Sequence, residues 1–206
     1  MRWQFIARIT GILLFFLGLS MIAPLLVSLY YHELAFGDFI HSIAITTIAG
    51  IILIIGSKKR GSDDYINQKE GMATVALAWM AITLFGALPF YFGPEFTNFT
   101  DAFFESVSGF TTTGSSVMTN IQGATKGLLF WRSFIQWLGG MGIIVLSLAI
   151  LPFLGVGGIQ LYKAEVPSPV PDKLTPRLSD SAKILWAVYA FLTLAEIIFL
   201  LGGGMP

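Results

Sequence analysis

Thr111-Thr112-Thr113-Gly114 is the stretch of this chain whose residue types and spacing suit a specific chemistry, coordination of a cation by backbone oxygens. Three β-branched residues disfavour continuing a helix, and a glycine opens backbone angles closed to other residues. An extended run of four residues covers about 13 Å. Inside a membrane such a run is tolerated only where it is buried in protein or lines a wet cavity, because its carbonyls lack ladder partners. A partly dehydrated cation can take that role. Taken alone, the four residues read first as an ordinary loop turn, where such residues are common. Their surroundings change that reading.

Covalent chemistry has little to draw on. There is no cysteine, which excludes disulfides, thiolate metal sites and cysteine nucleophiles. His32 and His41 lack metal-ligand spacing and read as interfacial residues. A membrane enzyme needs converging nucleophiles, acids or metal ligands, and only Glu196, inside an apolar run, comes near. No residue is assigned a catalytic role, and the chain is not expected to be an enzyme. Beyond Lys58-Lys59-Arg60 there is no basic run, so a nucleic-acid partner is not expected.

With 55% hydrophobic and 12% charged residues, the composition falls outside the range of soluble domains. The charges are bunched and leave long uncharged stretches, the pattern of a polytopic all-α membrane protein. Five apolar segments are each near the roughly 20 residues that cross a ~30 Å hydrocarbon core. They run from Ile9 to Tyr31, Phe39 to Ser57, Met72 to Phe92, Trp131 to Leu154 and Ile184 to Leu201. The first is too long for a signal-peptide core and is not followed by a small-x-small cleavage pattern. Pro24 is expected to bend it. Polar links fall at Gly61 to Gly71 and Gln160 to Lys183, and Gly155, Gly157 and Gly158 are expected to break the fourth helix.

Orientation follows from Lys and Arg in the short loops. With the N-terminus inside, the inner side carries Arg2, Arg8, Lys58, Lys59, Arg60, Lys69, Lys163, Lys173, Arg177 and Lys183. The outer side then carries only Lys126 and Arg132. The N-terminus is therefore expected in the cytoplasm. Glu33, Asp38, Glu95, Asp101 and Glu105 give the outer side an acidic excess, which either raises the local cation concentration or simply follows from insertion rules.

Gly93 to Phe130 is too long for a turn and too apolar for a solvated loop. Thr100 is a candidate N-cap, Asp101 places an acid in the first turn, and Phe103, Phe104, Val107 and Phe110 supply apolar contacts. A helix of about ten residues here spans about 15 Å, half the hydrocarbon core. It can enter the membrane without crossing it, aim its negative C-terminal end inward, and let Thr111 to Gly114 return as an extended strand. Glu105 either tethers this helix to the strand, attracts cations or sits as a surface acid at the outer mouth. Gly139, Gly140 and Gly142 allow close approach to another helix. Trp131 and Arg132 read as an interfacial anchor. Glu196 reads as an interhelical hydrogen-bonding acid, with ion coupling as the other possibility.

The run DAFFESVSGFTTTGSS (Asp101 to Ser116), with FWRSFIQWLGGMGIIVLSLAILPFLGVGGIQLYKAEVP (Phe130 to Pro167), resembles the Trk/Ktr/HKT superfamily of potassium transporters. Within it the resemblance is to the TrkH-type potassium-translocating subunit and covers nearly the whole chain. It implies four helix–pore-loop–helix repeats around one pore, with potassium as the bound ion. The ion-facing carbonyls fall on Thr112 and Thr113, with Thr111 and Gly114 beside them and Glu105 supporting the pore helix. It also implies a homodimer in the lipid bilayer of the cell inner membrane and a cytosolic nucleotide-binding TrkA-type regulatory subunit. Whether the family member works as a channel or an ion-coupled symporter stays open. A glycine at 114 leans towards potassium, because relatives with serine at the equivalent place in the first loop tend to carry sodium.

On this reading, residues 1–60 form a leader helix pair and 61–158 one complete repeat with its filter strand. Residues 159–206 hold a cytoplasmic link and the first helix of a second repeat. Three filter strands of the family pattern have no counterpart, and the chain is expected to be a truncated potassium-transport subunit. The alternative is a non-conducting membrane assembly subunit.

Overall fold

Long apolar runs become helices in a membrane because the backbone must satisfy its own hydrogen bonds. The computed structural model describes residues 2–33, 36–57, 68–150 and 174–204, with side chains for 2–33, 36–57, 69–142 and 182–204. Among the described residues the elements are all helical: α1 Trp3–Ser20, α2 Ile22–Tyr30, α3 Phe36–Gly56, α4 Gln68–Gly86, α5 Leu88–Phe92, α6 Phe99–Phe110, α7 Lys126–Ile150 and α8 Leu174–Gly202. Trp3–Tyr30, Phe36–Gly56, Lys69–Phe92 and Ala182–Gly202 are each long and apolar enough to cross a membrane. Helix α7 has 25 residues, about 37 Å at 1.5 Å per residue.

Each span starts earlier than the sequence reading placed it, α3 at Phe36, α4 at Gln68 and α7 at Lys126 among them. The first span begins at Trp3 rather than Ile9, and its interruption falls at Met21 rather than Pro24. Proline has no N–H, so the carbonyl four residues earlier, that of Ser20, loses its helical donor and the break opens there. The last helix begins at Leu174, inside the stretch expected as a link. Pro176 lies in its first turn, where a missing N–H costs no helical bond. Lys58-Lys59-Arg60, most of the Gly61 to Gly71 link, Gly155, Gly157 and Gly158 lie outside the described residues.

Two compact units divide within α7, Met1–Gly139 and Gly140–Pro206. The first holds α1 to α6 and the start of α7. Its core joins Leu14, Leu17, Met21, Phe39, Phe90, Phe96, Ala102, Phe110, Leu128, Trp131 and Ile135, all buried. In lipid such a cluster is held by close packing rather than by exclusion of water, so the fit of Trp131, Phe39 and Phe90 carries the interaction. At one end of this unit Arg2 binds Glu70 with its backbone N–H (2.9 Å), Nε (3.0 Å) and Nη2 (2.9 Å), tying α1 to the first turn of α4. In the second unit α8 leaves Ile184, Phe191, Ile198 and Phe199 exposed, with Glu196 exposed among them.

Candidate cation site

Helix α6 starts two residues earlier than it would with Thr100 as its cap. Asn98, in an extended conformation, precedes Phe99, and no side chain caps the end; Asp101 lies in the first turn, where an acid suits the helix dipole. Twelve residues give about 18 Å, too short to cross a membrane. Ala102, Glu105, Ser106, Ser108, Gly109 and Phe110 face inward. Ser106 Oγ donates to the Thr83 carbonyl of α4 at 2.7 Å, so a buried polar pair fixes the helix from one side.

The chain leaving α6 turns more sharply than a plain extended strand. Thr111 closes the helix through its N–H to the Val107 carbonyl (2.9 Å), and Thr112 follows with φ +57° and its N–H on Gly109 (2.9 Å). A β-branched residue rarely takes this left-handed conformation, so the site stores local strain here. Gly114 also has positive φ, +76°, which glycine adopts freely. The N–H groups of Thr113 (2.9 Å) and Gly114 (3.4 Å) both reach the Ser108 carbonyl. Thr111 and Thr113 hydroxyls share a hydrogen bond of 2.8 Å.

Where the carbonyls of this loop go divides it in two. Ser108 Oγ donates to the Ser115 carbonyl at 2.6 Å, and Arg132 Nη2 donates to the Gly114 carbonyl at 3.2 Å. Among the described residues no donor reaches the carbonyls of Thr111, Thr112 and Thr113, and those residues are exposed. Three successive carbonyl oxygens are thus available to a cation, next to the negative C-terminal end of α6.

Behind the loop stands a buried ion pair. Glu105, 1% exposed, receives Arg132 Nε at 2.5 Å on one oxygen. Its other oxygen accepts Ser116 Oγ (3.1 Å) and the Val117 N–H (3.2 Å). A carboxylate this buried requires such pairing. Trp131 and Arg132 are therefore not an interfacial anchor. Helix α7 begins five residues before Trp131, at Lys126, and carries Trp131 into the core, where its Nε1 donates to the Gly86 carbonyl at 3.0 Å. One turn beyond Ile135, Gly139 lies against the end of α6.

Two carboxylates hold the start of α7. Glu33 accepts the backbone N–H groups of Lys126 and Gly127, the latter at 3.0 Å, and Glu95 accepts the N–H and hydroxyl of Thr125, both at 2.9 Å. Acids at a helix N-terminus satisfy its unpaired N–H groups and suit its dipole. Of the residues singled out from sequence, Thr111, Thr112, Thr113, Gly114 and Glu105 lie together in this site. Ser108 and Arg132 belong to it as well and were not singled out for it. A serine six residues before the glycine gave no periodic signal, and an arginine at the start of an apolar run looks like any interfacial charge.

Comparison with known proteins agrees with this architecture. The family model described as TrkH, cation transport protein, matches residues 37–203. A Trk system potassium uptake protein TrkH of Salmonella typhimurium is 43% identical over all of this chain and 43% of its own length. A Trk system potassium uptake protein TrkG of Escherichia coli is 36% identical over 98% of this chain and 41% of its own length. The crystal structure of the potassium transporter TrkH from Vibrio parahaemolyticus superposes with a TM-score of 0.83 at 36% identity, covering 98% of this chain and 40% of that one. The chain thus spans less than half the length of these relatives. From its matched residues and its helical architecture, this integral membrane protein belongs to the TrkH cation transport protein family.

Proposed function

We propose that this chain supplies one strand of a potassium-selective path across the cell inner membrane and performs no covalent catalysis. The carrying observation is the run of three carbonyls, Thr111 to Thr113, that no donor among the described residues reaches, at the end of a half-membrane helix. A potassium ion can exchange part of its hydration shell for such oxygens. On this reading α4 to α7 form a helix–pore-loop–helix repeat behind a leader pair, α1 to α3, with Glu105 supporting the pore helix from behind. The N-terminus faces the cytoplasm, the side expected from the distribution of Lys and Arg.

One strand cannot surround an ion, so the activity belongs to an assembly with further strands. The names of the relatives support potassium as the substrate, and the family resemblance adds a homodimer and a TrkA-type cytosolic subunit as partners. The test is radioactive rubidium uptake in a strain without its own potassium uptake. A chimera in which this chain replaces the matching segment of the Salmonella typhimurium relative should restore uptake, and the chain alone should not. A well-inserted chimera without uptake refutes the proposal and favours a non-conducting assembly role. Selective uptake by the chain alone points to a tetramer of short chains.

A further inference from the structure

We infer that Arg132 is a positioning residue for ion selection, because it turns the Gly114 carbonyl away from the ion path. The inference rests on reading Thr111 to Gly114 as a filter strand. It narrows that reading: the oxygens offered to the ion are those of Thr111, Thr112 and Thr113, and that of Gly114 is not among them.

The peptide unit is planar and trans, so the Gly114 carbonyl and the Ser115 N–H point in opposite directions. Arg132 Nη2 lies 3.2 Å from that carbonyl and fixes which of the two faces α7. The next carbonyl, that of Ser115, is held by Ser108 Oγ of α6 at 2.6 Å. The strand therefore changes character at Gly114, from carbonyls that no donor among the described residues reaches to carbonyls bound to protein. Glycine is the residue best able to make that change, and here it has φ +76°.

A guanidinium beside a cation path would ordinarily repel the ion. Here its charge is matched by Glu105, 1% exposed and 2.5 Å from Arg132 Nε. The same carboxylate holds Ser116 and Val117, so the pair fixes the strand on both sides of Ser115. Without the Arg132 fork, the Gly114–Ser115 peptide is free to rotate and add a fourth oxygen. Added oxygens change the field at the site, and that field sets preference among cations.

In the chimera, Arg132→Gln should lower rubidium-over-sodium preference about tenfold, the scale of one lost charge-assisted hydrogen bond, with membrane content unchanged. Arg132→Lys, which keeps the charge without the fork, should recover part of it. Unchanged preference in Arg132→Gln overturns the inference. If that variant does not reach the membrane, Glu105→Gln with Arg132→Met leaves no unpaired buried charge and decides on the same criterion. A readout independent of transport is the infrared stretch of a heavy-isotope-labelled Gly114 carbonyl in the membrane-embedded chain. It should rise in frequency in Arg132→Gln, and an unmoved band overturns the inference. Failure of the unmodified chimera to transport refutes the proposed function and with it the role in ion selection, whereas transport with an unmoved infrared band overturns the role of Arg132 alone.

Discussion

A Cβ placed on Gly139 would stand 2.1 Å from the carbonyl oxygen of Phe110. Helix α7 thus passes against the backbone at the end of α6, with no flexible side chain between them to give way. Gly139→Ala should destabilise the first unit by about 1–3 kcal/mol, the usual scale of overpacking. Thermal unfolding in detergent measures it, with Gly37→Ala as the control, since nothing lies within 4 Å of a Cβ there. Equal melting of the two variants would contradict the close approach.

Gly114→Ser tests the backbone of the candidate filter directly. The nearest atom to a Cβ there is Gln136 Nε2 at 3.7 Å, so a side chain fits and the cost is conformational, set by φ +76°. In the chimera this change should reduce rubidium preference over sodium while expression and insertion stay intact. Thr111→Ser keeps the hydroxyl that donates to Val107 at 2.7 Å and should be mild. Wild-type selectivity in Gly114→Ser together with its loss in Thr111→Ser would mean that side chains, not carbonyls, set the filter.

Trp131→Phe keeps most of the buried ring and removes one donor. The Gly86 carbonyl, now reached by Trp131 Nε1 at 3.0 Å, would be left buried and unbonded. The expected loss is about 1–3 kcal/mol. A melting temperature equal to that of the parent would show that another donor replaces the indole.

Topology can be read by labelling, because the chain contains no cysteine. An impermeant maleimide added to intact cells should label Lys126→Cys and spare Lys59→Cys. The opposite pattern would place the N-terminus outside and reverse the proposed direction of the candidate pore loop.

Much of the fold was legible in the sequence because apolar length alone dictates membrane helices. The half-length helix before Thr111 was legible for the same reason, from a run too short to span and too apolar for solvent. The detail of the site was harder to read. Arg132 sits at the edge of an apolar stretch, where a charge reads as an interfacial anchor; only its pairing with Glu105 across 27 positions identifies it as an interior residue. Thr112 has a β-branched side chain that argues for extended backbone, yet local hydrogen bonds back to the last turn of α6 hold it at φ +57°. The kink of the first span came at Met21 because proline acts on a carbonyl of the preceding turn, not on its own position.

The pairing of Arg2 with Glu70 joins residues 68 positions apart. During synthesis Arg2 precedes Glu70, and its guanidinium cannot meet that carboxylate until α1, α2 and α3 have been made and α4 has begun. The contact therefore waits for two complete spans, yet it can close before those that tie α7 to Glu33, Gly86 and Glu105, which need residues 126–132. Its presence is a checkpoint of biogenesis: a chain in which it has closed has already brought the start of its third spanning helix beside the first.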